Sequence, residues 1–281
     1  QYTAHIHFFH DFGFYPNNKD ANGSPCPENM LNIWNGFQGR FVDYDIKVIE
    51  PILHHIKTCW ANDNQNIYNY ILDWLAHIVQ FPYKKTRILI ILYSSLQQVG
   101  KNILTNFFID YVFGQELSYA MAGTDNLTCR FNTNIYRKIF VNCNELSSID
   151  GTERNTQFDL LKNLITEDYM DFEIKGGRKW KGDNYMNILA TTNHSFTYKI
   201  EDGDARILPL NVSNRYYQKF GYFKRLGESL NQHTGNHFIS FLKERDIRNV
   251  TLTDIPMTDL KEDMIEHSLP SPIRFLNYVK E

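Results

Sequence analysis

Arg87-Ile-Leu-Ile-Ile-Leu-Tyr93 is an apolar run that is followed, after one serine, by the octapeptide Ser95-Leu-Gln-Gln-Val-Gly-Lys-Asn102. The next segment, Ile103-Leu-Thr-Asn-Phe-Phe-Ile-Asp-Tyr111, has the apolar spacing of a helix. A phosphate-binding loop of pattern GxxxxGK[ST] occupies such a place, because its backbone N–H groups curl around phosphates and its lysine reaches the outer ones. The stretch therefore predicts a strand, a phosphate-binding loop and a helix.

The octapeptide departs from that pattern at two positions. Ser95 stands where the first glycine belongs, and Asn102 stands where Ser or Thr belongs. The amide oxygen of Asn102 can still ligate a hard cation, directly or through water. For the octapeptide alone, a phosphate-binding loop and an ordinary strand-to-helix turn with an exposed lysine both stay open.

Composition predicts a globular chain. Its 281 residues, 42% hydrophobic and 15% aromatic, suit one large domain or two modest ones. Lys+Arg 29 against Asp+Glu 32 gives a net charge of -3, so a nucleic-acid site has to be a local concentration of positive charge. Four cysteines lie far apart without a CxxC pair, which argues against a zinc knuckle or a disulfide framework and favours a reducing compartment. They are Cys26, Cys59, Cys129 and Cys143.

Neither a membrane span nor a secretory leader is expected. No run approaches the roughly 18 apolar residues that a spanning helix needs. The start, Gln1-Tyr-Thr-Ala-His-Ile-His7, lacks the basic and apolar regions of a signal peptide. We expect a soluble, intracellular protein without a membrane partner. Because Gln1 is not an initiator methionine, we also expect a piece of a longer polypeptide.

Four regions are predicted along the chain. Residues 1–45, rich in aromatics, Asn, Gly and Pro, predict loops and short strands. Residues 46–83 predict two amphipathic helices, 84–215 an α/β core and 216–281 a C-terminal helical region. In the core, strands and helices alternate, which favours a mostly parallel sheet covered by helices. Strands are expected at 87–93, 138–143, 186–190 and 206–212, and helices at about 101–113 and 155–166.

Two adjacent histidines, His54 and His55, lie on the first predicted helix. Paired histidines suggest a metal site, but no carboxylate stands at ligand spacing. We therefore expect solvated or capped side chains.

Polar residues flank three predicted strands. Glu145 follows Lys138-Ile-Phe-Val-Asn-Cys-Asn144, where an ATPase needs a carboxylate to polarise the attacking water and help organise the metal. Asn144 stands in place of the usual preceding acid. Asn193 follows the third strand and could sense a terminal phosphate, and Arg206 could stabilise a transferring phosphoryl, often from a neighbouring subunit. Taken singly, these residues could equally be a surface carboxylate, a turn-forming amide and a surface ion pair.

A basic segment, Asp171-Phe-Glu-Ile-Lys-Gly-Gly-Arg-Lys-Trp-Lys-Gly-Asp183, surrounds two glycines and predicts a hairpin tip. Cationic side chains neutralise phosphates, and an aromatic ring can stack on a base. A solvated basic hairpin is the alternative. The candidate DNA-binding residues are Lys175, Arg178, Lys179, Trp180 and Lys181.

In this order, the loop, Asn144-Glu145, the basic hairpin, Thr191-Thr-Asn193 and Arg206 resemble a superfamily 3 helicase. More narrowly, they are similar to the helicase part of primase-helicase proteins of large DNA viruses and phages, including primase-polymerase-helicase fusions. Upstream segments at 32–37 and 69–76 are similar to those that precede the ATPase core in that group. The resemblance covers about residues 31–213.

The resemblance implies a P-loop AAA+-type core that uses ATP and Mg²⁺. It implies that Asn102 and Glu145 contact the metal, that Glu145 is the catalytic carboxylate, that Asn193 is the polar sensor and that Arg206 is an arginine finger supplied in trans. The implied nucleotide contacts are Ser95, Gln98, Val99, Gly100, Lys101, Asn102 and Asn144.

The resemblance also implies a ring, expected to be a hexamer, whose basic hairpins grip single-stranded DNA. The expected function is an ATP-dependent DNA helicase module of viral or phage replication, fused to a primase or polymerase domain and working in the cytoplasm of the infected host cell. One rival is a ring that clamps DNA for the attached polymerase with weak or no hydrolysis, since Ser95, Asn102 and Asn144 weaken the ATPase pattern. A second rival, a metabolic P-loop kinase, would need a small-molecule acceptor pocket and no DNA-binding hairpin.

Overall fold

The protein is a three-layer α/β structure with helices on both faces of a five-stranded parallel sheet. It is described here from a computed structural model, for residues 9–122, 131–146, 160–194 and 200–269. The strands are β1 (Asp11–Gly13), β2 (Met30–Asn32), β3 (Leu89–Tyr93), β4 (Ser118–Ala122), β5 (Phe140–Asn144), β6 (Tyr169–Glu173), β7 (Lys179–Asp183), β8 (Asn187–Thr192) and β9 (Ile207–Asn211).

The helices alternate with the strands of the sheet and also flank them at both ends of the chain. They are α1 (Ile46–His55), α2 (Gln65–Gln80), α3 (Lys101–Phe107), α4 (described over 160–166), α5 (Phe220–Ser229), α6 (Gln232–Glu244) and α7 (Asp259–Ser268). Two of them continue as π-helical turns, α1 into Ile56–Trp60 and α3 into Phe108–Phe113. No helix in the described ranges is both long and apolar enough to cross a membrane.

The central sheet has the order β4-β5-β8-β3-β9, and all of its neighbours are parallel. The strands predicted around 87–93, 138–143, 186–190 and 206–212 are confirmed as β3, β5, β8 and β9. The sequence interpretation missed the edge strand β4. Since parallel strands point the same way, the segments that follow β3, β5 and β8 meet at one edge of the sheet, which is where α/β proteins bind ligands.

Each face of the sheet carries its own apolar core. On one face, Ile90 and Leu92 of β3 pack with residues of α1, α2, α3 and α6, including the fully buried Trp74 and Phe238. On the other face, Leu89 and Ile91 pack with α4, α7 and the hairpin formed by β6 and β7. The alternation along β3 is the period of two that a strand imposes. The flanking helical regions thus supply much of the covering layer on the first face.

Candidate nucleotide-binding site

The segment 94–100, called here the phosphate loop, connects β3 to the first residue of α3. Gln98 and Gly100 both adopt positive φ, of 59° and 94°. A Cβ on Gly100 would lie 2.6 Å from Cε1 of His55 and 2.7 Å from Cε1 of Phe223. Both the backbone conformation and the close packing therefore require glycine at this position.

A pocket of about 520 Å³ opens beside the phosphate loop at the carboxyl edge of the sheet. Its walls come from the loop and the start of α3, the ends of β5 and β8, and the first turn of α5 with the residues before it. The lining residues are Gln97, Gln98, Val99, Gly100, Lys101, Asn102, Ile103, Glu145, Thr191, Asn193, Gln218, Phe220 and Phe223. The volume lies within the range of small-molecule sites in proteins.

Lys101 is buried to 9% exposure, and its ammonium group turns toward the strand ends. Nζ donates to the carbonyl of Thr192 at 2.9 Å, to the carbonyl of Ser94 at 3.4 Å and to Oδ1 of Asn193. Burial lowers the pKa of Lys101 to about 8, and the carboxylate of Glu145 opposes that shift. All three N–H donors of the Lys101 ammonium group are therefore hydrogen-bonded within the protein.

Glu145 is exposed and lines the same pocket, directly after β5. Its φ of 55° is left-handed, which costs a non-glycine residue about 1–2 kcal/mol. Thr191 stabilises this turn, because its Oγ1 accepts from the N–H of Glu145 at 3.4 Å and its carbonyl accepts from the N–H of Leu146 at 2.8 Å. The turn aims the carboxylate at the edge where the phosphate loop lies.

Two asparagines of β5 lie beneath the pocket. Asn142 is fully buried, and its Nδ2 donates to Oγ1 of Thr105 at 3.0 Å and to Oδ1 of Asn144 at 3.1 Å. Thr105 in turn donates to the carbonyl of Asn102 at 2.9 Å. The amide of Asn144 thus belongs to a polar chain that ties the strand to the first turn of α3.

His55 is fully buried beneath the phosphate loop, so of the two expectations, a solvated or a capped side chain, the solvated one is wrong at this position. Its Nε2 lies 3.0 Å from the carbonyl of Gly100, and its Nδ1 lies 2.9 Å from the hydroxyl of Tyr222. A carbonyl only accepts, so Nε2 carries the hydrogen and Nδ1 accepts from the tyrosine. Burial lowers the pKa of His55 to about 4. The neutral imidazole therefore connects α1 to the phosphate loop and to α5 through hydrogen bonds.

The sequence interpretation also missed the C-terminal wall of the pocket, which consists of Gln218, Phe220 and Phe223. Phe220 is 70% exposed, and Tyr222 stacks on Tyr216 with ring centroids 3.7 Å apart. The only available signal was the density of aromatic residues between 216 and 223. Nothing in spacing alone places this segment beside a loop more than a hundred residues earlier.

Arg206 does not reach this pocket. It precedes β9, and its carbonyl accepts from the N–H of Leu89 at the start of β3. It therefore lies at the amino edge of the sheet, opposite to Lys101. Its guanidinium pairs at 2.7 Å with Asp204, whose side chain is 2% exposed.

The predicted basic hairpin is the antiparallel pair β6 and β7. Lys175 and Arg178 are exposed at its tip. Lys179 pairs with Asp171 at 2.8 Å, and Lys181 lies 4.9 Å from the ring centroid of Tyr169. Trp180 is paired across the strands with Phe172 and stacks on its ring, with centroids 5.8 Å apart. Of the four hairpin cations, only Lys179 has an acidic partner among the described ion pairs.

Among the described residues, no group of three or more His, Cys, Asp or Glu side chains could hold a metal ion by itself. Asn102 and Glu145 nevertheless line one pocket with oxygen-bearing side chains. Such a sparse donor set fits Mg²⁺ that is held mainly by substrate phosphates and water.

Residues 92–206 match a protein family described as a family of unknown function, DUF5906. That range includes every site residue singled out above in the sequence, from Ser95 to Arg206. The chain is also 24% identical over 196 residues to the DNA primase-polymerase of Nitratiruptor phage NrS-1. The aligned part is 69% of this chain and 26% of the phage protein.

Solved structures of the C-terminal region of NrS-1 share the fold. One apo structure covers 92% of this chain with a TM-score of 0.75 and 18% identity, and a second, the A form, also covers 92% with a TM-score of 0.72 and 17% identity. The chain spans about a quarter of the curated relative and 61% and 60% of these two structures. The fold is therefore that of a region found in a phage primase-polymerase.

Proposed function

We propose that this chain is the ATPase module of a ring-forming, superfamily 3-type DNA helicase that works in phage DNA replication. The supporting observation is that Lys101, Glu145 and Asn193 line one pocket at the carboxyl edge of a parallel sheet, Lys101 at the start of α3 and the other two directly after β5 and β8. Similarity to a phage DNA primase-polymerase supports the replication role. Under this proposal the core is of the P-loop AAA+ type.

The pocket residues have separate tasks in ATP hydrolysis. Backbone N–H groups of the phosphate loop and the ammonium of Lys101 bind the phosphates, after Lys101 exchanges the oxygens of Thr192 and Asn193 for phosphate oxygens. Glu145 accepts the proton of the attacking water. Asn193, released from Lys101, is free to contact the terminal phosphate or the water. Oxygens of Asn102 and Glu145 would hold Mg²⁺ that arrives with the nucleotide, and the ion would neutralise phosphate charge.

The hairpin formed by β6 and β7 supplies the DNA contact in this proposal. Lys175 and Arg178 are exposed at its tip and carry no acidic partner in the described ion pairs. In a hexameric ring, such tips would converge on single-stranded DNA in the channel. The primase or polymerase domain would be carried on the same polypeptide, in the infected host cell.

A second candidate is a ring that clamps DNA for an attached polymerase and uses nucleotide for assembly alone. The substitutions at Ser95, Asn102 and Asn144 favour it, because they weaken the features that hydrolysis needs while Lys101 still offers a positive charge to a bound nucleotide. Asn144 in place of an acid also leaves Glu145 as the one carboxylate that lines the pocket within the described residues.

Two substitutions test the ATPase assignment. Lys101→Ala should abolish both binding of a fluorescent ATP analogue and phosphate release. Glu145→Gln should keep nucleotide binding and reduce turnover by about a hundredfold to ten-thousandfold, the usual effect of losing a positioned acid or base. Turnover should rise when single-stranded DNA is added to the native protein.

Exposed residues of the same types serve as controls, namely Lys243→Ala and Glu244→Gln on α6. Both should leave binding and turnover unchanged. Full ATP affinity and turnover in Lys101→Ala would refute the pocket assignment. ATP-dependent assembly without turnover in the native protein would instead favour the clamp.

A further inference from the structure

A second pocket, of about 380 Å³, lies at the base of the hairpin and shares no lining residue with the nucleotide pocket. We call it the hairpin-base pocket. Its walls come from the N-terminal segment around Tyr15, the turn at Tyr136 and Arg137, and the strands β6 and β7. Its volume is that of a site for a small organic group.

The hairpin-base pocket combines aromatic walls with cations. The Arg137 guanidinium lies 4.7 Å from the ring centroid of Tyr136, and Nζ of Lys181 lies 4.9 Å from that of Tyr169. Tyr136 is held rigidly by edge contacts to Phe172 and Trp180, with centroids 4.8 and 5.5 Å away. Proteins that bind single-stranded nucleic acid use this combination: the aromatic rings stack on bases, and the neighbouring cations neutralise the backbone.

Arg137 has an unfavourable backbone conformation and an unpaired side-chain nitrogen. Its φ is 62°, and its Nε is buried without a hydrogen-bond acceptor among the described residues. An unpaired buried donor is costly and calls for an explanation. Because Nε is enclosed by protein, it fixes the position of the side chain, and the guanidinium group lines the pocket, where a phosphate oxygen would match its charge.

An acidic group, Asp183, lines the same pocket and narrows the choice of ligand. Its Oδ2 accepts from the hydroxyl of Tyr185 at 2.8 Å, and burial raises its pKa. A carboxylate beside the site disfavours a free anion such as inorganic phosphate. It suits a ligand that presents N–H donors near an anionic group, as a nucleotide with an exocyclic amino group does.

We propose that the hairpin-base pocket holds one nucleotide of the single-stranded DNA that the hairpin tip engages. The base lies against the tyrosine rings with its amino edge toward Asp183, and the backbone phosphate contacts Arg137 and Lys181. This inference rests on the proposed single-stranded DNA substrate and adds a preference for bases that carry an amino group. Cytosine has such a group at N4, and thymine has none.

The test is fluorescence anisotropy of the whole chain with labelled dC12 and dT12 at neutral pH over a range of salt. The native protein should bind dC12 at least about fivefold more tightly than dT12, the low end of the discrimination from one good base contact. Asp183→Asn should remove most of that preference. Arg137→Gln should weaken both oligonucleotides and reduce the salt slope by about 0.7, the contribution of one phosphate contact on a single strand.

Controls separate this inference from the proposed function. Arg248→Gln removes an exposed arginine whose partner is Asp246, and it should change nothing. If circular dichroism shows that Arg137→Gln is unfolded, Lys181→Gln at an exposed position repeats the test. If Lys175→Gln with Arg178→Gln weakens DNA binding but the pocket variants do not, the pocket inference is wrong and the DNA function stands. Equal affinity of the native protein for dC12 and dT12 also overturns the inference, and no binding of either overturns both proposals.

Discussion

At the residue scale, the phosphate loop depends on groups that lie far from it in sequence. Gly100 has no side chain, but its carbonyl accepts a hydrogen bond from His55 and its Cα lies close to Phe223. His55 is in turn hydrogen-bonded to Tyr222. The loop therefore rests on α1 and α5 at once, and its stability should respond to the ionisation of one buried imidazole.

The pH dependence of stability tests this support. Because the pKa of His55 is about 4 in the folded protein and 6.5 ordinarily, the unfolded chain binds a proton that the folded chain excludes between these values. Stability should therefore fall as the pH is lowered through this window, by about 2 kcal/mol from this group between roughly pH 7 and pH 5. His55→Gln, which cannot titrate, should lose about that much less over the same interval in urea unfolding.

Tyr222→Phe provides the matched control, since it removes the hydroxyl and leaves the imidazole buried. This variant should be less stable throughout but should keep the pH-dependent loss. If His55→Gln loses as much stability as the native protein between the two pH values, the imidazole is not protected from protons in the folded state.

Residue identities predicted part of the site for a simple reason. Lys101, Glu145 and Asn193 each follow an apolar strand, and parallel strands bring such positions to one edge. His55 and Phe223 could not be found in this way, because only tertiary packing brings α1 and α5 to the loop. The hydrogen bonds of Lys101 to Thr192 and Asn193 were equally invisible in the sequence.

At the element scale, the covering layer on one sheet face depends on a close approach between α6 and the π-helical turn Phe108–Phe113. Gly235 of α6 is buried there, and a Cβ at this position would lie 2.4 Å from the carbonyl oxygen of Tyr111. The contact is with backbone, which cannot rotate away. The two elements therefore pack only because one residue of α6 has no side chain.

Two glycine substitutions in neighbouring helices test this packing. Gly235→Ala should lower the free energy of unfolding by about 1–3 kcal/mol, the usual cost of overpacking. Gly227→Ala in α5 is the control, because no atom lies within 4 Å of its added Cβ and alanine favours a helix by up to about 1 kcal/mol. Urea unfolding of both variants should give opposite signs. If Gly235→Ala leaves the free energy of unfolding unchanged, α6 and the π-helical turn can move apart at little cost.

Elements with strong patterns were predictable, and those with weak patterns were not. The apolar runs before 93, 144, 192 and 211 predicted four of the five central strands, because a strand buried on both faces is almost wholly apolar. The fifth, β4, reads Ser-Tyr-Ala-Met-Ala at the sheet edge, and this short mixed sequence carries no such signal. The turns from α-helix to π-helix at 56 and 108 also left no trace in the apolar spacing.

At the scale of the whole molecule, the opposite positions of Lys101 and Arg206 constrain how a complete site could form. The two residues lie at opposite edges of the same parallel sheet, so one chain cannot bring them together without losing β3 or β9. An arginine finger at Arg206 therefore has to act on a second copy of the chain. The amino edge of one subunit would face the carboxyl edge of the next, a head-to-tail contact that can close into a ring.

Mixing two inactive variants tests this geometry. Lys101→Ala and Arg206→Ala should each be inactive alone, whereas mixtures should recover part of the ATPase activity at interfaces that pair the intact Lys101 of one subunit with the intact Arg206 of another. Arg87→Ala is the control, because Arg87, like Arg206, is paired with an aspartate at the amino edge of the sheet. It should be active without mixing. Subunit exchange and nucleotide binding at single interfaces should be measured in the same mixtures. If both occur and no ATPase activity is recovered at any ratio, an arginine finger in trans is contradicted.

The strand order also determines when the chain can fold during its own synthesis. β3 is flanked by β8 and β9, and roughly 120 residues separate Leu89 from Asn211. At a translation rate of 5–20 residues per second, the chain needs about 6 to 24 s to supply the second neighbour of β3. Throughout that interval the apolar Leu-Ile-Ile-Leu of β3 has no complete sheet to enter, and it is a ready segment for pairing with other nascent chains. The nascent chain is therefore expected to expose this strand for seconds, and chaperones that bind short apolar segments should reduce its aggregation during synthesis.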